Sequence, residues 1–308
     1  MARNGMIEAI VGILILAGAP ASPRGDDGSV LARNGKALMR IITCVDAIPA
    51  ERTAADELKT YLGKMTGAEF AIIDESGAET GTPSIYLGQT AFAAAHEIDL
   101  ATLGEEESIL RTVEGNLLIT GGRPRGTLYA VYSLLEEALG CRWYTPWCEV
   151  VPSNPDCRVP ALNQHRVPAF ARRDFYARLP CRKWDDTLKE QWSLYCVRNR
   201  WNGLNPTRNT WWRHNGGKRE LVPGGDTYGG GAYLYRGAPH TFAADFPAGE
   251  YFGTHPTWYS ERRGVRVPSN GVDGNHLCLT NRELRRAYLA KLKDSMRAAP
   301  DIHVFMVA

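Results

Sequence analysis

The side chains best suited to bind a ligand lie in the second half of the chain, near the ends of predicted strands. His240 follows a proline in a long loop, and an imidazole can donate or accept hydrogen bonds near neutral pH. A structural role is its alternative. Arg173 could hold a carboxylate through two parallel N–H bonds, with an ion pair at the base of a barrel as its alternative. Asp174 could face a ligand or serve as the buried partner of Arg172 or Arg173.

Two more residues could contact hydroxyl-bearing ligands. Asn202 lies near a predicted strand end, where its amide could hydrogen-bond a hydroxyl or simply form a turn. Trp212 follows Trp211, and neighbours on a regular element point in different directions, so one ring could be exposed while the other is core. The predicted binding residues are therefore His240, Arg173, Asn202, Trp212 and Asp174, and no pair of carboxyl groups can be assigned to catalysis.

The cysteines do not form a metal site. They occupy positions 44, 141, 148, 157, 181, 196 and 278, without a C-x-x-C pair and without a histidine at zinc-finger spacing. We therefore expect no metal ion. Scattered buried thiols are the favoured interpretation, and the odd count leaves at least one cysteine free.

Other ligand classes are disfavoured by motif and charge. The Gly121–Gly126 turn (GGRPRG) lacks the Lys-Ser/Thr ending of a phosphate loop and the order of a dinucleotide fingerprint, so no nucleotide cofactor is expected. Its glycines more plausibly let a strand turn sharply into a helix. The 36 basic and 34 acidic residues are mixed along the chain, giving a net charge of +2 and no basic stripe for nucleic acid.

The N-terminus is typical of an exported protein. Arg3 lies in a short polar start, Ile10–Leu16 is apolar, and small residues follow to Ser22. This layout predicts a secretory signal peptide over residues 1–22, because the apolar run is too short to span a bilayer. A buried N-terminal segment is the alternative. We expect a secreted, periplasmic or cell-surface protein with no membrane span after cleavage.

The first half of the mature chain predicts an α+β domain over residues 30–157. A strand at residues 38–44 precedes a helix over Pro49–Met65, whose apolar residues recur every three or four positions up to a C-capping Gly67. Strands at 70–74 and 84–88 follow. A hairpin then turns at Glu114-Gly115, and the Gly121–Gly126 turn opens a second helix. Residues 152–160 are predicted to be a linker.

From residue 165 the pattern changes to strand-like segments followed by helices. Strands are predicted at 170–176, 200–204, 277–279 and 302–307, with helices near 184–196 and over 281–298. Such alternation predicts parallel βα units. A closed eight-fold barrel needs about 250 residues, so residues 165–308 predict an incomplete α/β TIM-type barrel.

Several segments resemble known carbohydrate-active enzymes. Gly121–Pro146 (GGRPRGTLYAVYSLLEEALGCRWYTP), with Ala54–Gly67 and Ile85–Thr90, resembles the N-terminal domain of alpha-glucuronidases and beta-hexosaminidases. Pro239–Ser260 (PHTFAADFPAGEYFGTHPTWYS) and Leu277–Arg285 (LCLTNRELR) resemble the barrel region of an alpha-glucuronidase-like bacterial family.

The resemblance implies a non-catalytic α+β domain followed by a barrel of glycoside hydrolase character. It also implies a carbohydrate substrate, poly- or oligosaccharide, including uronic-acid-containing ones. Relatives continue beyond the strand that matches 302–307, and catalytic carboxylates lie at or beyond its end. We therefore expect a truncated barrel and no turnover by the 308 residues alone. A carbohydrate-binding or cell-surface protein without catalysis is the alternative.

Overall fold

The computed structural model describes residues 28–79, 81–173, 186–202, 225–229, 235–236, 241–268, 276–300 and 304–305. The predicted signal peptide lies outside the described residues. So do three of the predicted binding residues, Asp174, Trp212 and His240.

The strands are short and concentrate in the first half of the chain. In chain order they are β1 (Ser29–Val30), β2 (Ala32–Arg33), β3 (Lys36–Ala37), β4 (Ile41–Thr43), β5 (Ile72–Asp74), β6 (Ile85–Leu87), β7 (Ser108–Val113), β8 (Asn116–Gly121), β9 (Arg142–Thr145), β10 (Cys148–Val150), β11 (Arg158–Val159), β12 (Asn163–Arg166), β13 (Tyr235–Arg236), β14 (Glu261–Arg262), β15 (Val265–Arg266) and β16 (Val304–Phe305).

The helices are spread along the whole described chain. They are α1 (Pro49–Thr66), α2 (Ala91–Ala95), α3 (Gly126–Ser133), α4 (Asp186–Arg198), α5 (Thr241–Asp245), α6 (Ala248–Tyr251) and α7 (Arg282–Ala298). A π-helical turn at Leu134–Ala138 continues α3.

A six-stranded mixed sheet forms the framework of the first half, with strand order β12-β7-β8-β6-β4-β5. The pairs β5–β4, β4–β6 and β6–β8 are parallel, whereas β8–β7 and β7–β12 are antiparallel. Parallel neighbours need long crossover connections, and α1 provides the one from β4 to β5. The predicted α+β class is confirmed by this mixed sheet with helices.

Helix α1 forms where the periodicity predicts it. Its apolar stripe at Ala54, Leu58, Tyr61, Leu62 and Met65 is buried against the sheet. The helix ends because Gly67 takes the left-handed conformation, with φ of 75°, and donates its N–H to the carbonyl of Gly63.

The two faces of the sheet bury different cores. Alternate residues of a strand point to opposite faces, so Leu117 and Ile119 of β8 pack against α1 and α3, whereas Leu118 packs beneath α2 with Ile109 and Ala93. The larger core contains the tyrosines of α1 and α3. Both faces are thus covered by helix or loop.

The hairpin between β7 and β8 turns at the predicted dipeptide. Glu114 and Gly115 both have positive φ, 52° and 79°, as a two-residue turn matched to the twist of the strands requires. The register runs without a break from Ser108 opposite Gly121 to Val113 opposite Asn116.

The Gly121–Gly126 turn needs its glycines for space. A Cβ added to Gly122 would lie 1.8 Å from the carbonyl oxygen of Gly104, and one on Gly126 would lie 2.2 Å from that of Glu107. The segment Gly104–Glu107 therefore packs directly on the turn. The strand does turn into a helix here, as predicted, and the glycines are needed because their neighbours leave no room for a Cβ.

Strand pairing and core packing with the α+β domain continue beyond residue 157, the end predicted for that domain. Strand β11, inside the predicted linker, pairs with β1, and β12 closes the edge of the sheet beside β7. Cys157, Val159 and Leu162 belong to the main core. The prediction of a linker at 152–160 is wrong, because β11 pairs with β1 and Cys157 and Val159 are buried in this core.

Helix α4 packs against the first domain. Val197 belongs to its main core, and Leu194 and Tyr195 pack against it. Two ion pairs accompany this contact: Arg198 with Glu57 at 2.9 Å, and Arg200 with Glu136. The segment after the sheet is therefore held to the α+β domain by both apolar and charged contacts.

Residues from 241–268 and 276–300 form a second, smaller core. Phe246, Trp258, Tyr259 and Tyr288 are central to it, and α7 begins at its N-cap Asn281, as predicted. The predicted strand at 277–279 is wrong: Leu277 forms only a single antiparallel bridge with Tyr259, and the chain then turns into α7. The buried ring of Tyr259 packs in this second core.

Among the described residues after 165, one strand pair has the parallel geometry expected of βα units. Strand β13 pairs in parallel with β16, which lies within the strand predicted at 302–307. The described residues of the strand predicted at 170–176 are not in a sheet. Among the described helices, none is both long and apolar enough to cross a membrane.

Candidate functional site

Two of the predicted binding residues meet at a buried carboxylate, which we call the Glu106 junction (Glu106, Arg125, Arg173 and Asn202). Glu106 Oε1 accepts hydrogen bonds from Arg125 Nε and Asn202 Nδ2, both at 2.7 Å, and Oε2 accepts from Arg173 Nη2 at 2.6 Å. The side chain of Glu106 is only 8% exposed. The junction therefore joins the α+β domain to the segment that follows it.

The remaining polar atoms of Arg173 bond to nearby backbone. Its Nε donates to the carbonyl of Arg200 at 3.0 Å, and its Nη1 donates to the carbonyl of Phe170 at 2.7 Å. The guanidinium carbon also lies 5.7 Å from the centroid of the Tyr129 ring. Burial raises the pKa of Tyr129, so this hydroxyl stays neutral.

Asn202 holds two backbone segments together. Its Oδ1 accepts from the backbone N–H of Arg173 at 2.7 Å, and its Nδ2 also donates to the carbonyl of Ala171 at 2.8 Å. Its own N–H donates to the carbonyl of Arg173 at 3.0 Å. Arg173 forms an ion pair with Glu106, which belongs to the α+β domain and not to the barrel base that was predicted to hold its partner. Direct ligand contacts by Arg173 and Asn202 stay predictions.

Most described tryptophans of the second half are packing residues. Trp192 and Trp258 are buried, and the ring of Trp258 stacks with Tyr251 and His255. An exposed tryptophan lies instead on the β9–β10 hairpin, where the sequence analysis assigned no site.

The β9–β10 hairpin separates two tryptophans by exposure. Trp143 is 6% exposed and donates its indole N–H to the hydroxyl of Tyr61 at 2.7 Å. Trp147, in the turn, is 60% exposed. Its indole N–H donates to Gln191 Oε1 of α4 at 2.8 Å, which fixes the plane of the ring. A flat aromatic surface is thereby presented to solvent in one orientation.

A cavity of about 270 Å³ lies beside this ring, and we call it the Trp147 pocket. It is lined by Lys64, Trp143, Thr145, Pro146, Trp147, Cys148, Glu149, Tyr195 and Arg198. Contributions come from α1, from the β9–β10 hairpin and from α4. The docking of α4 on the α+β domain thus completes its wall.

Charged groups in the pocket are compensated by one another. Glu149 Oε1 accepts from Lys64 Nζ at 2.7 Å, and Oε2 accepts from the hydroxyl of Tyr61 at 2.5 Å. Arg198 uses Nε and Nη2 on the two oxygens of Glu57, at 2.9 and 3.1 Å. The pocket therefore carries donors and acceptors without an unpaired cation.

Protonation states in the pocket follow from these contacts. Burial acts to raise the pKa of Glu149, but the hydrogen bonds from Lys64 and Tyr61 outweigh it, so the pKa lies below its usual range. Burial, followed by the bond to Glu149, raises the pKa of Tyr61. At neutral pH the pocket contains an ionised carboxylate, and the buried Tyr61 that bonds to it is neutral.

Potential metal ligands and thiols are scattered over the part of the chain that the structure describes. No group of three or more His, Cys, Asp or Glu side chains there could hold a metal ion. The six described cysteines are free thiols, four of them buried as favoured by the sequence. Burial raises the pKa of Cys44 to about 12 and that of Cys157 to about 11.

The α+β domain is of a kind found in glycoside hydrolases. Residues 28–134 match the family described as "Glycosyl hydrolase family 67 N-terminus", which confirms the predicted glycoside hydrolase-like resemblance. Residues 143–308, more than half of the chain, match the family described as "Domain of unknown function (DUF4838)", and the chain belongs to this family. No curated protein matches the sequence.

Solved structures show where the fold recurs. A family GH115 4-O-methyl-alpha-glucuronidase with specificity for decorated arabinogalactans aligns over 87% of this chain and 41% of its own, at 15% identity and a TM-score of 0.51. At this identity the likeness concerns the fold alone. Two bacterial hexosaminidases, from Streptomyces plicatus and Streptomyces coelicolor A3(2), align over 88% of this chain and 54% of theirs, at 15% identity and TM-scores of 0.39. The chain thus spans about half or less of the length of these enzymes.

Proposed function

We propose that this protein is an exported glycoside hydrolase-like protein that acts on oligo- or polysaccharides, including substrates that contain uronic acids. The match of residues 28–134 to the N-terminus of glycosyl hydrolase family 67 carries this proposal. The fold similarity to a 4-O-methyl-alpha-glucuronidase over 87% of the chain supports it.

In this proposal residues 165–308 contribute to a TIM-type barrel that holds the substrate. The parallel pairing of β13 with β16 supports this arrangement. His240, Asp174 and Trp212 are the proposed sugar contacts of the barrel mouth. Arg173 and Asn202 take part through the Glu106 junction, which holds the start of the barrel segment on the α+β domain.

A second candidate function is carbohydrate binding without catalysis. The Trp147 pocket favours it, because an exposed and oriented indole ring lies beside hydrogen-bonding groups. Such a protein would retain a glycan without cleaving it. The two candidates differ in whether the glycosidic bond breaks, and both require glycan binding.

The test measures binding and cleavage on the same glycans. The protein expressed from its natural gene is incubated with neutral and glucuronic-acid-bearing xylo-oligosaccharides. We expect it to bind these glycans and to release sugar, detected by mass spectrometry. Binding without release would favour the second candidate. Absence of binding would overturn the two together.

Export is tested separately. We expect the protein recovered outside the cytoplasm to begin after the predicted signal peptide, close to Ser22. N-terminal sequencing of that protein measures this directly. A protein that is found only in the cytoplasm with an intact Met1 would contradict export.

A further inference from the structure

We propose that the Trp147 pocket binds one neutral pyranose unit of a glycan. This inference rests on the proposed function for the class of ligand, but the pocket contains none of the five residues predicted as sugar contacts from the sequence. It would be a second point of glycan attachment, on the α+β domain side of the molecule.

The aromatic surface of the pocket suits the C–H face of a sugar ring. Trp147 is largely exposed, yet its orientation is set by the hydrogen bond to Gln191 at 2.8 Å. A ring that is already oriented loses little rotamer entropy when a ligand stacks on it. Pro146 and Tyr195 also line the cavity and add apolar atoms to it.

The polar side of the pocket suits neighbouring hydroxyl groups. Lys64 has three N–H donors, of which the contact with Glu149 uses one. Each oxygen of Glu149 accepts one described hydrogen bond, whereas a carboxylate has about four acceptor sites in all. A vicinal diol both donates and accepts, so it can bond to Glu149 and Lys64 together.

The charge pattern favours a neutral sugar over a uronic acid. Lys64 is paired with Glu149 and Arg198 with Glu57, so no cation awaits a carboxylate. The lowered pKa of Glu149 keeps it ionised near neutral pH, and a sugar carboxylate beside it would be repelled. The uronic acid proposed as a substrate of the barrel therefore differs in charge from the neutral sugar proposed for this pocket.

The size of the cavity limits the occupant. Its volume of about 270 Å³ lies just below the range of roughly 300–1,000 Å³ that is usual for pockets of drug-sized ligands. One sugar ring fits this space, and its hydroxyl groups can donate hydrogen bonds to the ionised Glu149. The mixed polar lining thus favours a glycan.

The experiment titrates the 308-residue chain with xylohexaose and, in parallel, with an oligosaccharide made of glucuronic acid units. We expect xylohexaose to bind, and Trp147→Ala to weaken its Kd by about tenfold or more, because an oriented aromatic anchor is lost. Tyr144→Ala is the matched control. Tyr144 is equally exposed on the same hairpin but does not line the cavity, so Kd should stay within about twofold.

The outcomes distinguish failure of the pocket proposal from failure of the proposed function. Unchanged affinity in Trp147→Ala, or a preference for the acidic oligosaccharide, would overturn the pocket while glycan binding stands. If the wild type binds neither probe, nor any other glycan in an array, the proposed function fails as well.

Acrylamide quenching of the protein expressed from its natural gene, comparing wild type with Trp147→Phe, tests whether a protein surface covers the pocket instead of a sugar. We expect a quenchable contribution from Trp147. Its absence would show that the pocket is covered within the protein, and would overturn the proposal.

Discussion

The Glu106 junction and the Trp147 pocket contain similar side chains. They differ in how many of their polar and aromatic groups remain accessible to a ligand. Each places a glutamate beside cationic side chains, and each combines the α+β domain with residues that follow the sheet. At the junction, both oxygens of Glu106 and the polar atoms of Arg173 and Asn202 bond to protein groups. In the pocket, an aromatic face and part of the polar capacity remain open to solvent.

This difference separates two uses of charge in one molecule. A buried carboxylate with several donors fixes the relative position of chain segments, because removal of one partner leaves the others buried and unpaired. A partly exposed ion pair beside an exposed aromatic ring can exchange bound water for a ligand at little cost in free energy. Substitutions in the two regions should therefore affect different measurements.

The largest expected effect on stability is that of Glu106→Ala. The substitution leaves the nearly fully buried Arg125 without its main carboxylate partner and removes an acceptor from Arg173 and Asn202. We expect a loss of about 3–5 kcal/mol in the free energy of unfolding, measured by urea denaturation. The control is Glu105→Ala, whose carboxylate also bonds Arg125 but is mostly exposed, with an expected loss below about 1 kcal/mol. Equal losses would mean that burial does not distinguish the two glutamates.

The two tryptophans of the β9–β10 hairpin give the next contrast. Trp143→Ala removes a buried ring that packs edge-on against Tyr61 and Tyr132, and we expect a loss of about 3–5 kcal/mol. Trp147→Ala removes an exposed ring and its bond to Gln191, and we expect less than about 1 kcal/mol. Urea denaturation measures both. A large destabilisation by Trp147→Ala would show that the exposed ring is structural, contrary to the distinction between junction and pocket.

A smaller loss is expected from Gly122→Ala, which disturbs the support of the junction. The new Cβ would lie 1.8 Å from the carbonyl oxygen of Gly104, so the segment that carries Glu106 must shift. We expect destabilisation of about 1–3 kcal/mol. Gly249→Ala, in α6, meets no atom within 4 Å and serves as the control, with no loss. An unchanged melting temperature in Gly122→Ala would show that the segment Gly104–Glu107 shifts without a cost in stability and does not hold Glu106 in place.

Local signals were sufficient to predict much of the α+β domain. The periodicity of α1, its C-cap Gly67 and the Glu114-Gly115 turn depend on residues close together in the sequence, and the structure has each of them. Strand β12 (NQHR) was missed because it has no alternation of buried apolar residues. Its pairing is decided by β7, which is distant in the chain.

The candidate sites show the same limit. Arg173 and Asn202 could be selected as polar residues near predicted strands, but their partner Glu106 lies 67 and 96 residues away along the chain. Trp147 follows Thr145-Pro146, a turn visible in the sequence. Its exposure depends on where α4 docks and where Gln191 lies, which no local pattern encodes.

The smallest expected effect is a loss of folding stability at acidic pH, caused by the edge of the sheet beside the Glu106 junction. Glu107, next to Glu106, bonds the backbone N–H of Gly104 and the imidazole of His165 on β12, and these bonds hold its pKa below the usual value of 4.5. Because the folded-state pKa is depressed, the stabilisation is complete above that value and is lost as pH falls through the folded-state pKa. The bond from Arg166 lowers the pKa of Glu137 and adds to the same trend.

We expect the free energy of unfolding to decrease below about pH 4.5 and Glu107→Gln to reduce the steepness of that decrease. Urea denaturation at a series of pH values from 7 down to the acid transition measures it. Glu114→Gln, in the exposed turn at the far end of β7, is the matched control and should follow the wild-type profile. If Glu107→Gln also follows it, then β12 is not held by this carboxylate, and the edge of the sheet next to the junction depends on its other contacts.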